Sequence, residues 1–253
     1  MIKMKTSISL ISKKKVSPSL CIFLSGVALL IATLACENEK EPINLTAIAP
    51  QNLSGMDFSW KAACCQDFSG KDMRNVLLTG ADISHSNFTD TDLRGADLSE
   101  AWAQSTIFDG ADLRGAKLDK LCFQGSSWNG AKLDPQWQEV LTLFDEKLKP
   151  GQDLQGLELS NLCLYGYDLH GVNLGEADLS NSFLAVANLS DANLQDANLQ
   201  DAWLRGVNFS RANLARANLT NASLEGAYFC ETTMPDGKIS NDGCHLLPAS
   251  STP

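Results

Sequence analysis

The residues of this chain with the most chemical reach are three histidines, His85, His170 and His245, eight cysteines, and 30 acidic side chains spread over 253 positions. General acid/base work needs such groups to converge, and glycoside hydrolysis needs two carboxyls held at a fixed separation. Here the histidines fall at unrelated places in a regular pattern, and the acids recur only because the pattern recurs. The sequence contains no glycine-rich phosphate loop, nucleophile elbow or Cys-x-x-Cys pair. Acids spaced along a straight wall do not converge into the oxygen cage of a calcium site. The residues therefore predict no catalytic, cofactor-binding or metal site, and no enzyme. Asn87, Asn188 and Asn218 match the glycan acceptor pattern, but a repeat with Asn at one place and Ser or Thr two later produces it automatically.

Cysteine chemistry remains. The first 36 residues hold Lys3, Lys5, Lys13, Lys14 and Lys15 and no acid, followed by an apolar run from Leu20 to Ala35. Basic, then apolar, then small is the order of an export signal. Cys36, after Thr33-Leu34-Ala35, resembles the lipoprotein box, whose cysteine is acylated and becomes the new N-terminus, with Thr33 where Leu is usual. The alternative is a single N-terminal transmembrane anchor, for which the 17 residues from Leu20 to Cys36 are at the short edge. Far downstream, Cys230 and Cys244 would close a 15-residue loop. A bridge there would add about 3 kcal/mol in an oxidising compartment.

Beyond residue 36 the chain carries 15 basic against 30 acidic residues. A body this acidic does not hold nucleic acid by its phosphates. Residues 37–57, with Pro42, Pro50 and Gly55 and few large apolar groups, read as a linker.

The elements that must position any site come from one period. From Phe68 to Leu133, and again from Leu154 to Met234, every fifth residue is large and apolar, with Ala103 the exception among 31 units. The preceding residue is Asp or Asn in 17 of those units, and the one before it is mainly small. Five matches neither the period of a helix nor that of a strand, so the chain must turn regularly and build a solenoid. Ala96-Asp97-Leu98-Ser99, Ala111-Asp112-Leu113-Arg114 and Ala192-Asn193-Leu194-Gln195 resemble the unit of the pentapeptide-repeat family. The resemblance covers about 165 residues. It implies an all-β, right-handed quadrilateral β-helix with four units per coil. Some family members are acidic rods that mimic duplex DNA and protect gyrase, and the export signal speaks against that role here.

Between Leu133 and Leu154 the register slips. Asp134 and Pro135 open a predicted helix whose apolar face is Trp137, Val140, Leu141, Phe144 and Leu148, closed by Pro150-Gly151. The DPxW start resembles an element within many cyanobacterial members of the family. The expected organisation is thus a signal over 1–36, a linker over 37–57, and stacks over 58–133 and 152–236. A helical interruption over 134–151 separates the stacks, and a C-terminal tail covers 237–253. With four units per coil, residues 20 apart share a column. Cys163, Phe183 and Trp203 are so spaced at the outward place normally held by Asp or Asn, as are Trp102 and Cys122 in the first stack, which continue the same stripe if the interruption replaces one coil plus one residue. They predict an apolar stripe on a polar wall, a contact surface for an unknown protein partner or packing for the inserted helix. The expected protein is an exported, membrane-tethered, non-catalytic interaction module.

Overall fold

The computed structural model describes residues 51–146 and 148–246. The export segment, Cys36, residues 37–50 of the linker and residues 247–253 of the tail lie outside the described residues.

Each five-residue unit is one extended residue, one inward apolar residue and a tight turn. In Leu53-Ser54-Gly55-Met56 the Met56 N–H donates to the Leu53 carbonyl at 3.2 Å, and Gly55 has φ 70°. A closed turn with positive φ at its third residue has the signature of type II, which favours Gly or Asn there. That position recurs every five residues, at Gly80, Asn75, Asp90, Gly110 and onward through Glu231. The Asp or Asn of each unit serves the same turn. Its Oδ1 accepts the N–H two residues later, as from Ser54 to Asn52 at 2.9 Å and from Ser180 to Asp178 at 2.8 Å. This is an Asx turn, and it satisfies the donor that the ladder between coils leaves over.

Four such turns close a coil, because parallel bridges join residues 20 apart, as in Asn52↔Asp72↔Asp92↔Asp112↔Lys132. Three backbone bonds per unit link successive coils, for example Leu53 N–H to Asp72, Gly55 N–H to Arg74 and Asp72 N–H to Gln51. The central residue and the small residue two before it both point inward, and Leu98, Ala101, Leu199 and Ala202 are fully buried. Identical columns stack. Phe68, Phe88, Phe108 and Trp128 form an inner aromatic pile with centroid separations of 4.7, 5.3 and 4.3 Å. Where the small residue is Ser or Thr, its hydroxyl donates to a backbone carbonyl, as from Thr91 to Phe68 of the preceding coil at 2.8 Å, or from Ser182 to Leu179 within its own coil.

The first coil begins earlier than the sequence predicts. Leu53 and Phe58 are core residues at 1% and 4% exposure, so residues 51–57 belong to the coil and not to a linker. The pattern there is masked because Ala63 occupies the next central position and is small.

The ladder runs from Asn52 to Lys132, breaks, and resumes from Asp153 to Thr233. Between them lies α1, Pro135–Glu146. The Asp134 carbonyl accepts from Trp137 and Gln138 to start it, whereas the Asp134 carboxylate turns back to the coil and takes the Gly115 N–H at 3.0 Å. The helix stops before Leu148, whose N–H bonds the Leu143 carbonyl at 3.1 Å in the six-to-one closure of a helix end. Leu148 is therefore not on the helical face. It is buried in the second core, where Leu143 also packs. Trp137, Val140 and Phe144 touch both cores, and Leu141 the first.

The C-terminal segment is a cap and not a free tail. β1 (Thr232–Thr233) pairs antiparallel with β2 (Ile239–Ser240), and Cys230 is bonded to Cys244 at the start of a 3-10 turn over Cys244–Leu246.

Candidate functional site

The three histidines are scattered: His85 in a turn of the first run of coils, His170 beside Asp168 in the second (Nδ1 to Oδ1, 3.1 Å), and His245 in the cap. Among the described residues no group of three or more His, Cys, Asp or Glu could hold a metal ion. The surface divides instead into polar ladders and departures from them: Leu77 and Ile107 singly at outward positions, Trp60 at a turn, and one whole column.

Three columns of the second run are built of side-chain amides. Asn193 donates to Asn173 at 2.9 Å, Asn198 to Asp178 at 3.0 Å and Asn188 to Asp168 at 2.9 Å. In the first run the matching column is ionic. Arg74, Arg94 and Arg114 each clasp the aspartate of their own unit, Asp72, Asp92 and Asp112, at 2.6 Å. The guanidinium hydrogen bonds hold the Asp72 and Asp112 carboxyls down at about 2, and Asp92 is lowered for the same reason.

The fourth column carries Trp102, Cys122, Cys163, Phe183 and Trp203. Bridges Asp82↔Trp102↔Cys122 and Cys163↔Phe183↔Trp203↔Ser223 place the two segments, and Cys122 and Cys163 join them. These cysteines are covalently bonded, S–S 2.04 Å with Cα atoms 5.1 Å apart. Although 41 residues separate them, one coil step does so in space, because α1 takes up the remainder. Both are buried, so the centre of the column is a disulfide and not an exposed apolar strip.

Aromatic rings cover it from both sides of the break. Trp102 packs edge-on against Tyr165 at 5.2 Å and Phe183 at 5.9 Å, Tyr165 stacks on Phe183 at 5.5 Å, and Phe183 meets Trp203 edge-on at 5.7 Å. Trp203 is the ring left open, at 59% exposure, and Val186, at a turn of the same run, is exposed at 53%. From Trp102 to Trp203 the column carries no charge, and it continues to Asp82 on one side and Ser223 on the other. None of these side chains can supply the Asx acceptor, so each forgoes a bond worth about 1 kcal/mol. The aromatic contacts and the disulfide stand in its place.

Sequence reasoning missed the Cys122–Cys163 bond, Tyr165 and Val186. Counting the insertion as one coil plus one residue sets Cys122 and Cys163 in one stripe, but the spacing alone leaves open which cysteines pair. Tyr165 and Val186 sit on turn positions, outside the column that the 20-residue spacing isolates.

The sequence matches the family described as pentapeptide repeats, in eight copies, over residues 66–95, 91–127, 168–206 and 197–235, just over half of the chain. No curated protein matches it. Among solved structures it is similar to HetL, a pentapeptide repeat protein involved in heterocyst differentiation regulation from the cyanobacterium Nostoc sp. strain PCC 7120. That likeness is 26% identity over 77% of this chain and 96% of that one, TM-score 0.24. It is similar to the Nostoc pentapeptide repeat protein alr5209, at 32% identity over 36% and 72%, TM-score 0.31. It is also similar to QnrB1, a plasmid-mediated fluoroquinolone resistance protein, at 17% identity over 82% and 92%, TM-score 0.26. The family match implies a right-handed β-helix, and the parallel bridges between residues 20 apart agree with it.

Proposed function

The chain belongs to the pentapeptide-repeat family, and from that premise we propose that it is a non-catalytic interaction module, exported and membrane-tethered through Cys36, whose two stacks present one aromatic face to a protein partner. The observation that carries the reading is Trp203. It stands at 59% exposure on a wall whose other columns are Asn and Asp, and it gives up the local hydrogen bond that those residues make. Large exposed aromatics on an uncharged strip are what protein interfaces select as anchors. Two disulfides among the described residues, Cys122–Cys163 and Cys230–Cys244, suit an oxidising compartment and so support export.

The second reading, an acidic DNA mimic acting on a DNA-binding enzyme such as gyrase, is supported by the acid excess and by the likeness to QnrB1 in fold. Against it, Arg74, Arg94 and Arg114 answer the carboxylates of their column one for one, so that wall is not a row of uncompensated charge like a phosphate backbone.

One experiment separates the readings. Cells expressing the tagged full-length chain are fractionated, and partners are cross-linked and captured with wild type and with Trp203→Asn. The expected result is a membrane-bound chain whose partner set is lost in the variant, because Asn restores the repeat and removes only the ring. A soluble cytoplasmic pool would sink the export and revive DNA mimicry, and an unchanged partner set would remove the face from the function.

A further inference from the structure

Within each run of coils, three backbone hydrogen bonds per unit tie a coil to the next. Where the ladder breaks at α1, one bond crosses directly among the described residues, from the Lys120 N–H to the Asn161 carbonyl at 2.7 Å. The Cys122–Cys163 disulfide lies two residues from that bond on both strands. The aromatic face lies above it, and that face is composite: Trp102 comes from the first run, Tyr165 and Phe183 from the second. The fastening is thus placed where the backbone holds least, and beneath the surface proposed for docking.

We propose that Cys122–Cys163 is a redox latch that gates the aromatic face. The reductant is a dithiol. Its thiolate attacks one sulfur of the bond to give a mixed disulfide and release the other cysteine as a thiolate, which takes up a proton. The second thiol of the reductant then resolves the mixed disulfide, leaving two reduced cysteines and an oxidised dithiol, with two electrons transferred. With the latch open, the junction retains one backbone bond and the packing of α1, so the two runs hinge apart and Trp102 leaves Tyr165 and Phe183.

The cysteines are only 4% and 5% exposed, so attack requires the ring cover to lift first. Such local opening is easiest where backbone bonds are few. A partner that binds only the assembled face must, by linkage, protect the bond beneath it. The Cys230–Cys244 bond is a built-in comparison. The cap it closes is independently held by Met234 N–H to Lys238 at 2.8 Å and Phe229 N–H to Asp242 at 2.8 Å, so its reduction should not open the rod.

The inference rests on the docking reading for its consequence but is tested without a partner. Hydrogen exchange is followed on the full chain, oxidised and then reduced with dithiothreitol, with alkylation and mass mapping to report which cysteines are free. Reduction of Cys122 and Cys163 should speed exchange about tenfold or more in segments 113–133 and 153–170, leave 72–102 and 183–213 protected, and reverse on reoxidation. Trp102→Ala should speed reduction of this bond about tenfold, since it removes two ring contacts from the cover, and leave Cys230–Cys244 unaffected. A bond that resists dithiothreitol in the folded chain, or identical exchange in the two redox states, overturns the latch. Cys122→Ala with Cys163→Ala should match the reduced form. If that variant does not fold, the redox pair of the wild type still decides. Loss of a partner in the capture experiment would leave this result standing, so the two readings fail separately.

Discussion

Val186 holds a left-handed backbone, φ 54°, at the turn position that the repeat most often fills with Gly, Asn or Asp. For a β-branched residue this costs roughly 1–2 kcal/mol. The neighbouring coils make room for it, because Gly166 and Gly206 lie 20 residues to either side and a Cβ on Gly206 would meet the Val186 Cγ1 at 3.3 Å. Val186→Gly should therefore raise stability, by about 0.5–1 kcal/mol once the larger entropy of an unfolded glycine is subtracted. Chemical denaturation measures it, and a destabilised variant would show that the side chain contributes contacts that outweigh the strain. The same scale shows what the sequence did and did not make readable. The preference for Asp and Asn before each central residue was visible, and reading it as outward polarity was right about direction. Its cause, an acceptor for the N–H two residues on, is a hydrogen bond that no periodicity reveals. Trp203 was readable as a departure because it breaks that preference. Tyr165 was not, because the position after the central residue tolerates many types.

At the scale of the element, the two runs of coils share a backbone and differ in the chemistry of their walls. The outward column of the first run is built of Arg-clasped aspartates, whereas Asn193, Asn198 and Asn208 of the second do not titrate; the second run keeps its ion pairs on its turns, where Arg211 and Arg216 lower Asp191 and Asp196. Asp72 and Asp112 sit at about 2, held down first by the side-chain hydrogen bonds of Arg74 and Arg114. A carboxyl lowered on folding contributes its full stabilisation above the unfolded value near 4, and loses it as pH falls towards the folded value near 2. Because Asp57, Asp67, Asp72, Asp92, Asp97, Asp109 and Asp112 are lowered in the first run, against Asp168, Asp191 and Asp196 in the second, the first run should lose amide protection ahead of the second between about pH 4 and 2. Hydrogen exchange at pH 6 and pH 3 compares segments 72–112 and 173–213 directly. Equal loss in both, or earlier loss in the second, would show that these exposed pairs contribute little, as surface ion pairs often do. Arg74→Gln with Arg94→Gln and Arg114→Gln should narrow the difference. α1 was readable from Asp134-Pro135 and its apolar spacing, but its end was not. The spacing that made Leu148 look helical is equally met by a residue in the closing turn, which enters the second core instead.

Over the described body as a whole, stability is a sum of contacts between neighbouring coils, so cooperativity extends only as far as coupling across each step. Two separate buried cores, one from Leu53 to Phe123 and one from Leu148 to Phe229, meet through α1. Phe144 is the ring that bridges them, 4.6 Å from Phe123 of the first and 5.5 Å from Tyr167 of the second. The tight coupling within each core comes from dense backbone ladders that stop at the junction, so side-chain packing on α1 carries the communication between cores. Phe144→Ala should remove about 2 kcal/mol, below the usual range for a fully buried Phe because this ring is half-buried. The larger effect is on the shape of unfolding. In urea the wild type should unfold in one transition, with tryptophan fluorescence, to which Trp60, Trp102 and Trp128 of the first run contribute most rings, coinciding with far-ultraviolet circular dichroism of both runs. In Phe144→Ala the two curves should separate even with Cys122–Cys163 intact, because a covalent link keeps the chains together without transmitting the packing of one core to the other. Coincident curves in the variant, displaced to lower urea but unchanged in form, would mean that the rings above the disulfide couple the cores without α1. The inserted helix would then be a filler of the gap and not the joint of the rod.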